Sequence, residues 1–268
     1  MRRSRIAACA SAFLVAAACA FTGPTSAPAA PGKAVLDYVA LGDSYSAGVG
    51  AGSYVASGTG CMRSSLAFPV LWAAKHAASF SFTACNGAGT SEVMAEQLGP
   101  LTARTDLVSL SVGGSDSGYA RVMATCVLPG TTACVSSIAR AHSFMDGTLP
   151  ANLDRLYSAI RSKAPAARVV VLGYPHFYQL HGTCRRGLDD TERAALNEAV
   201  DHLNSVIAKR AADHGFTFAD VRTAFTGHEI CSSSPWLRSV DWLNLVESYH
   251  PTASGQSLGY LPLFADAV

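Results

Sequence analysis

Two segments far apart in the chain carry residue types that together perform acyl transfer. Near the beginning, Tyr38-Val39-Ala40-Leu41 runs into Gly42-Asp43-Ser44-Tyr45-Ser46, an apolar stretch that meets a small turn and presents a hydroxyl. Near the end, Glu247-Ser248-Tyr249-His250-Pro251 sets an imidazole in a short segment whose backbone Pro251 restricts. A serine hydroxyl is a poor nucleophile at neutral pH, and an imidazole with an ordinary pKa of about 6.5 can take its proton. Ser44 and His250 are therefore a candidate nucleophile and general base. Each has a plainer reading alone: Ser44 as the N-cap of a helix, and His250 as a loop-bracing member of the chain's 8 histidines. Their combination favours the chemical reading.

Other patterns are weaker. An α/β-hydrolase elbow needs Gly-x-Ser-x-Gly, but Ser46 follows where the second glycine belongs, and the Ser-x-x-Lys pattern fails at Ala47. Gly48-Val49-Gly50-Ala51-Gly52 has neither the complete dinucleotide fingerprint nor a Walker lysine. It reads as a flexible loop beside Ser44, and no nucleotide cofactor is expected. No cysteine pair has C-x₂-C spacing and no His-Glu-x-x-His segment occurs, so no metal is expected either. Tyr174-Pro175-His176-Phe177-Tyr178 could line a substrate cleft or simply pack.

The elements that position these groups are short. Apolar, β-prone runs occur at Asp37 to Leu41, Phe80 to Ala84, Leu107 to Val112, Val169 to Leu172 and Phe216 to Ala219. Between them lie helix-length patterns, clearest from Thr191 to His214, where Leu196, Ala199, Val200, Leu203, Val206 and Ile207 recur with helical spacing and read as core. Alternating strands and helices with continuous apolar strands predict an α/β fold: a three-layer α/β/α sandwich around a flavodoxin-like parallel sheet of about five strands. In such sheets functional groups gather beyond the carboxyl ends of the strands. Gly42-Asp43-Ser44, Asn86-Gly87-Ala88 and Gly113-Gly114-Ser115-Asp116 follow the first three predicted strands.

The 268 residues, 49% hydrophobic and 15% charged, suffice for one domain with its own core. A net charge of +1 offers nothing to steer the protein to nucleic acid or an anionic membrane. Arg2, Arg3 and Arg5 precede an almost wholly small or apolar run from Ile6 to Phe21, followed by small residues around Ala27-Pro28-Ala29. This layout predicts a signal peptide over 1–29, a mature start near Ala30, a single domain over 30–268 and export. The alternatives are an uncleaved anchor, or a lipid-modified Cys19 after the weak lipobox Ala16-Ala17-Ala18. Beyond the leader stand Cys61, Cys85, Cys126, Cys134, Cys184 and Cys231, which in an exported chain predict three disulfides. Connectivity is one of about 15 possibilities, among which nearest-neighbour pairing would staple successive loops.

Taken together, the blocks around Gly42-Asp43-Ser44, Gly87, Gly113-Gly114-Ser115-Asp116 and His250-Pro251, in that order across the mature chain, resemble the SGNH (GDSL) hydrolase family. The segment Tyr38 to Ser46 and the six cysteines are similar to secreted bacterial lipases, phospholipases and esterases of that family. The resemblance implies three sequential disulfides, Ser44 as nucleophile, His250 as base, and an oxyanion hole from the backbone amides of Ser44 and Gly87. It also puts Ser115 where the family has an oxyanion-binding asparagine, and Glu247 where the family has the histidine-orienting aspartate. A backbone carbonyl, that of Ser248, is the preferred orienter, with the Glu247 carboxylate as the alternative. The implied activity is carboxylic ester hydrolysis through an acyl-enzyme, on lipid or small-molecule acyl esters, by a monomer without a stable membrane anchor. The alternatives are an acyltransferase using the same Ser-His site with a non-water acceptor, and an inactive lipid- or glycan-binding protein on this fold.

Overall fold

In the computed structural model, five short aliphatic runs form one parallel sheet. They are β1 (Asp37–Ala40), β2 (Ser79–Phe82), β3 (Leu107–Leu110), β4 (Arg168–Leu172) and β5 (Thr217–Ala219). Their order is β2-β1-β3-β4-β5, and every neighbouring pair is parallel. The central strands are buried along nearly their whole length because helices cover both faces of the sheet, which is why they read as unbroken apolar runs. The edge strands β2 and β5 are only partly buried. The structure describes residues 36–268 except 57–59, 77–78, 129 and 185–186; the expected signal segment lies outside the described residues. Val35–Val268 forms one compact unit.

The helices are α1 (Ser44–Ala47), α2 (Phe68–His76), α3 (Thr90–Glu92), α4 (Tyr119–Cys126), α5 (Thr131–Gly147), α6 (Leu149–Lys163), α7 (Asp190–Asp213) and α8 (Leu261–Ala267). On one face of the sheet α2 and α8 pack together, with Trp72 and Phe264 set around Tyr38 at ring-centroid distances of 5.2 and 5.6 Å. On the other, α7 packs on β4 and β5, α6 lies beside it, and α5 bridges α7 to α4. The result is a three-layer α/β/α sandwich. Helix α7 is started by a reciprocal cap: Asp189 accepts from the Glu192 amide at 2.8 Å, and Glu192 accepts from the Asp189 amide at 3.0 Å. Among the described residues no helix is long and apolar enough to cross a membrane.

Strand order reverses between β1 and β3, so the loops leaving those strands flank a crevice at the carboxyl edge of the sheet. Disulfides pin the surrounding loops. Cys61–Cys85 ties the segment after α1 to the loop after β2, Cys126–Cys134 joins the end of α4 to the start of α5, and Cys184–Cys231 links the segments ahead of α7 and beyond β5.

Candidate active site

The turn that presents Ser44 is held from below. Gly42 has φ +121°, and a Cβ there would lie 2.5 Å from the Ser111 carbonyl oxygen, so only glycine lets β1 turn this close to β3. Asp43, not Ser44, caps α1: its carboxylate accepts from the Tyr45 amide at 3.0 Å, and Ser44 is the first helical residue. The same carboxylate accepts from Ser111 Oγ at 2.6 Å and from the Tyr174 hydroxyl. Burial pushes the Asp43 pKa up to about 6, opposed by hydrogen bonds from Ser111, Tyr174 and the Tyr45 amide. Tyr174 also accepts from the Gly114 amide at 3.1 Å, which couples the Ser44 turn to the loop after β3. Sequence reasoning did not assign this bracing to Asp43, Ser111 or Tyr174, whose partners lie 68 and 131 residues away.

His250 Nε2 lies 2.7 Å from Ser44 Oγ, and His250 Nδ1 lies 3.0 Å from the Ser248 carbonyl oxygen. A carbonyl only accepts, so Nδ1 carries the proton and Nε2 is left to accept from the serine hydroxyl. Burial lowers the His250 pKa to about 4, with the Ser248 and Glu247 backbone hydrogen bonds opposing it. The ring is therefore neutral at physiological pH. The Glu247 carboxylate is engaged elsewhere: it accepts from the Tyr54 hydroxyl at 2.8 Å and pairs with Arg238 Nε at 3.1 Å.

The backbone around the histidine is fixed from three sides. The Arg238 amide donates to the His250 carbonyl at 2.9 Å, the Tyr249 amide donates to the Arg238 carbonyl at 2.9 Å, and the Tyr45 hydroxyl donates to the Tyr249 carbonyl at 2.8 Å. Gly50 supplies the third side. At its φ of +88° a Cβ would stand 2.8 Å from His250 Cβ. The glycine-rich segment 48–52 was expected to be a flexible loop. Instead Gly48, Val49 and Gly50 are buried, and the small residues there let the backbone pack against the histidine segment.

Ser44 lies where two cavities meet. One is a narrow apolar cavity that runs between α4, α5 and α7 and is lined by side chains including Met123, Ile138, Met145, Phe177 and Leu203. The other is a wider, open cleft that carries Ser44, Asn86, Gly87, Ser115, Ser248 and His250 on its wall. The structure thus brings Ser44, His250, Gly87, Ser115 and Ser248 to one cleft, while the Glu247 carboxylate points to Tyr54 and Arg238. Among the described residues the Ser44 and Gly87 amides have no acceptor, and as the first helical amide that of Ser44 is free by construction. Ser115 is exposed at the cleft, and Asp116 anchors its loop by accepting from Thr90 Oγ1 at 2.6 Å. Leu196, Ala199, Val200 and Leu203, read from periodicity as core, also line the apolar cavity. Tyr174 and Phe177, both buried, line it too.

A serine turn at the β1/β3 switch point, a histidine 2.7 Å from its hydroxyl and unclaimed amides are the groups that a serine hydrolase on a doubly wound sheet requires. The chain belongs to the GDSL-like lipase/acylhydrolase family, whose model matches residues 40–258, and it is a serine ester hydrolase. It is 59% identical to Lipase 1 of Streptomyces coelicolor over 268 residues, all of both chains. An extracellular lipase of Streptomyces rimosus, solved by crystallography, superposes with a TM-score of 0.85 at 57% identity, covering 87% of this chain and 100% of the other. The crystal structure of phospholipase A1 from Streptomyces albidoflavus NA297 gives a TM-score of 0.86 at 55% identity, over 88% of this chain and 100% of that one.

Proposed function

We propose that this protein is an exported, monomeric hydrolase of lipid acyl esters, phospholipids included, working through an acyl-enzyme on Ser44. The observation that carries the reading is the Ser44–His250 pair, 2.7 Å apart, at the junction of an apolar cavity and an open cleft. An acyl chain enters the first, and the alcohol or phosphoglycerol part of the ester occupies the second. Ser44 Oγ attacks the ester carbonyl as His250 Nε2 takes its proton. Negative charge on the former carbonyl oxygen meets the Ser44 and Gly87 amides, fixed donors that need no reorganisation, and the Ser115 hydroxyl, which rotates to meet it. The imidazolium, steadied by the Ser248 carbonyl, returns the proton to the leaving alkoxide; water then repeats the sequence in reverse and frees the acid.

The Ser248 carbonyl keeps the ring in the tautomer the reaction needs, which leaves no task for a carboxylate. Lipid esters are favoured by the apolar lining, and phospholipid by the likeness to a phospholipase A1. Export accords with the leader-like segment 1–29 and with the extracellular lipase of similar sequence. The test is a panel of esters comprising phosphatidylcholine, triglyceride, p-nitrophenyl butyrate and an acetylated sugar, assayed with wild type and Ser44→Ala. Cleavage of the first three by wild type alone is the expected pattern. Preference for the acetylated sugar overturns the lipid assignment.

A further inference from the structure

The open cleft is lined by Arg121 of α4 and by Val240, Leu245 and Val246, from the loop that leads into His250. That loop, residues 239–247, also carries the two most exposed large apolar side chains among the described residues: Leu243 is 99% exposed and Trp242 63%. The loop is braced. The Asp241 carboxylate accepts from the Leu243 amide at 2.9 Å, the Asp241 amide donates to Ser248 Oγ at 2.9 Å, and a 3₁₀ turn spans Leu245–Glu247. Asp241 is thus turned to its own backbone and Glu247 to Tyr54 and Arg238, while the apolar side chains face water. Adjoining exposed apolar groups with a tryptophan mark an interaction surface, and an indole suits a boundary between acyl chains and polar headgroups. Arg121, on the same cleft, is exposed, and no ion pair among the described residues engages it; the paired arginines are Arg193, Arg210, Arg222 and Arg238.

We infer that loop 239–247 and Arg121 form a docking surface for a phospholipid layer: Trp242, Leu243, Leu245 and Val246 enter its acyl region while Arg121 meets a phosphate. The occupant follows from charge and position. A cation and an apolar loop lining one cleft complement a surface with anionic phosphates above hydrocarbon, and a protein seated there would close the cleft that leads to Ser44. The inference rests on the lipid-ester reading above. Vesicles of dialkyl ether phosphatidylcholine, which hold no ester to cleave, separate docking from turnover. On adding them to wild type, tryptophan emission should shift to the blue, and Trp242→Phe should abolish the shift. Leu243→Ser should weaken vesicle binding roughly tenfold, since a leucine loses most of its apolar burial, with turnover of soluble p-nitrophenyl butyrate unchanged. Arg121→Gln should weaken binding to these vesicles and not to a phosphate-free triolein emulsion. Unshifted emission, or Leu243→Ser binding as wild type does, overturns the docking surface. So does sedimentation showing a dimer that Leu243→Ser dissociates, which would give the face to a second copy. Equal loss with Arg121→Gln on both surfaces overturns the phosphate contact. Docking on ether lipid by a protein that leaves ester phospholipid intact overturns the substrate reading and upholds the docking.

Discussion

Activity on a soluble ester should survive to a pH at which an ordinary histidine would be protonated. Burial holds His250 at a pKa of about 4, against about 6.5 for a free imidazole. At pH 5 the neutral fraction is then about 0.9 instead of about 0.03, roughly a thirtyfold difference in competent base. Initial rates of p-nitrophenyl butyrate hydrolysis from pH 3.5 to 9 should give kcat/KM at pH 5 close to the plateau. The same depression acts on stability. The folded value lies below the unfolded one, so the histidine's contribution is intact above about pH 6.5 and falls by about 3 kcal/mol as pH drops to about 4. Asp43, raised to about 6, acts oppositely: its contribution is full below about pH 4 and is lost as pH rises through about 6. Wild type therefore shows the two offsetting. Urea unfolding of His250→Gln should remove the histidine share and leave a protein that loses less stability between pH 6.5 and 4. An acid limb of kcat/KM centred near 6.5 would refute the desolvated, carbonyl-held histidine.

Three further expectations follow from the same geometry. Glu247→Gln should keep turnover within about tenfold of wild type, since its carboxylate serves Tyr54 and Arg238; a loss approaching the roughly 10⁴ known for a true triad acid would make Glu247 the orienter. Ser115→Asn should raise kcat on an activated ester a fewfold with KM little changed, because an amide reaches further toward the developing oxyanion; a reduced kcat contradicts that. Ala199→Phe should shorten the apolar cavity and cut kcat/KM on long-chain esters by about fourfold per excluded methylene while sparing butyrate; equal loss on both chain lengths would place the acyl group elsewhere.

Much of the sheet is legible in the chain because each strand is a short aliphatic run ended by small or polar residues, as at Leu41-Gly42 and Val112-Gly113. All five strands lie within two residues of the ends read from the pattern, and α7 within one. The cavity is another matter. Leu196, Val200 and Leu203 have the spacing of core residues because they are on the buried side of α7; that part of this side faces a void depends on α4 and α5, and no periodicity encodes it. The fate of Glu247 was hidden for a similar reason, its tyrosine partner being 193 residues away. The exposure of Trp242 and Leu243 is likewise absent from the pattern, since hydropathy does not say which side chains a braced turn leaves in water.

Covalent labelling tests most directly whether Ser44 is the nucleophile that His250 activates. Wild type, His250→Ala and Ser44→Ala would be treated with a fluorophosphonate, and the adduct located by mass spectrometry of peptides while ester hydrolysis is followed in parallel. We expect one adduct per chain on Ser44, labelling slowed by about 10³ or more in His250→Ala, and neither adduct nor turnover in Ser44→Ala. An adduct on another residue, or near-native hydrolysis by Ser44→Ala, would contradict the assignment.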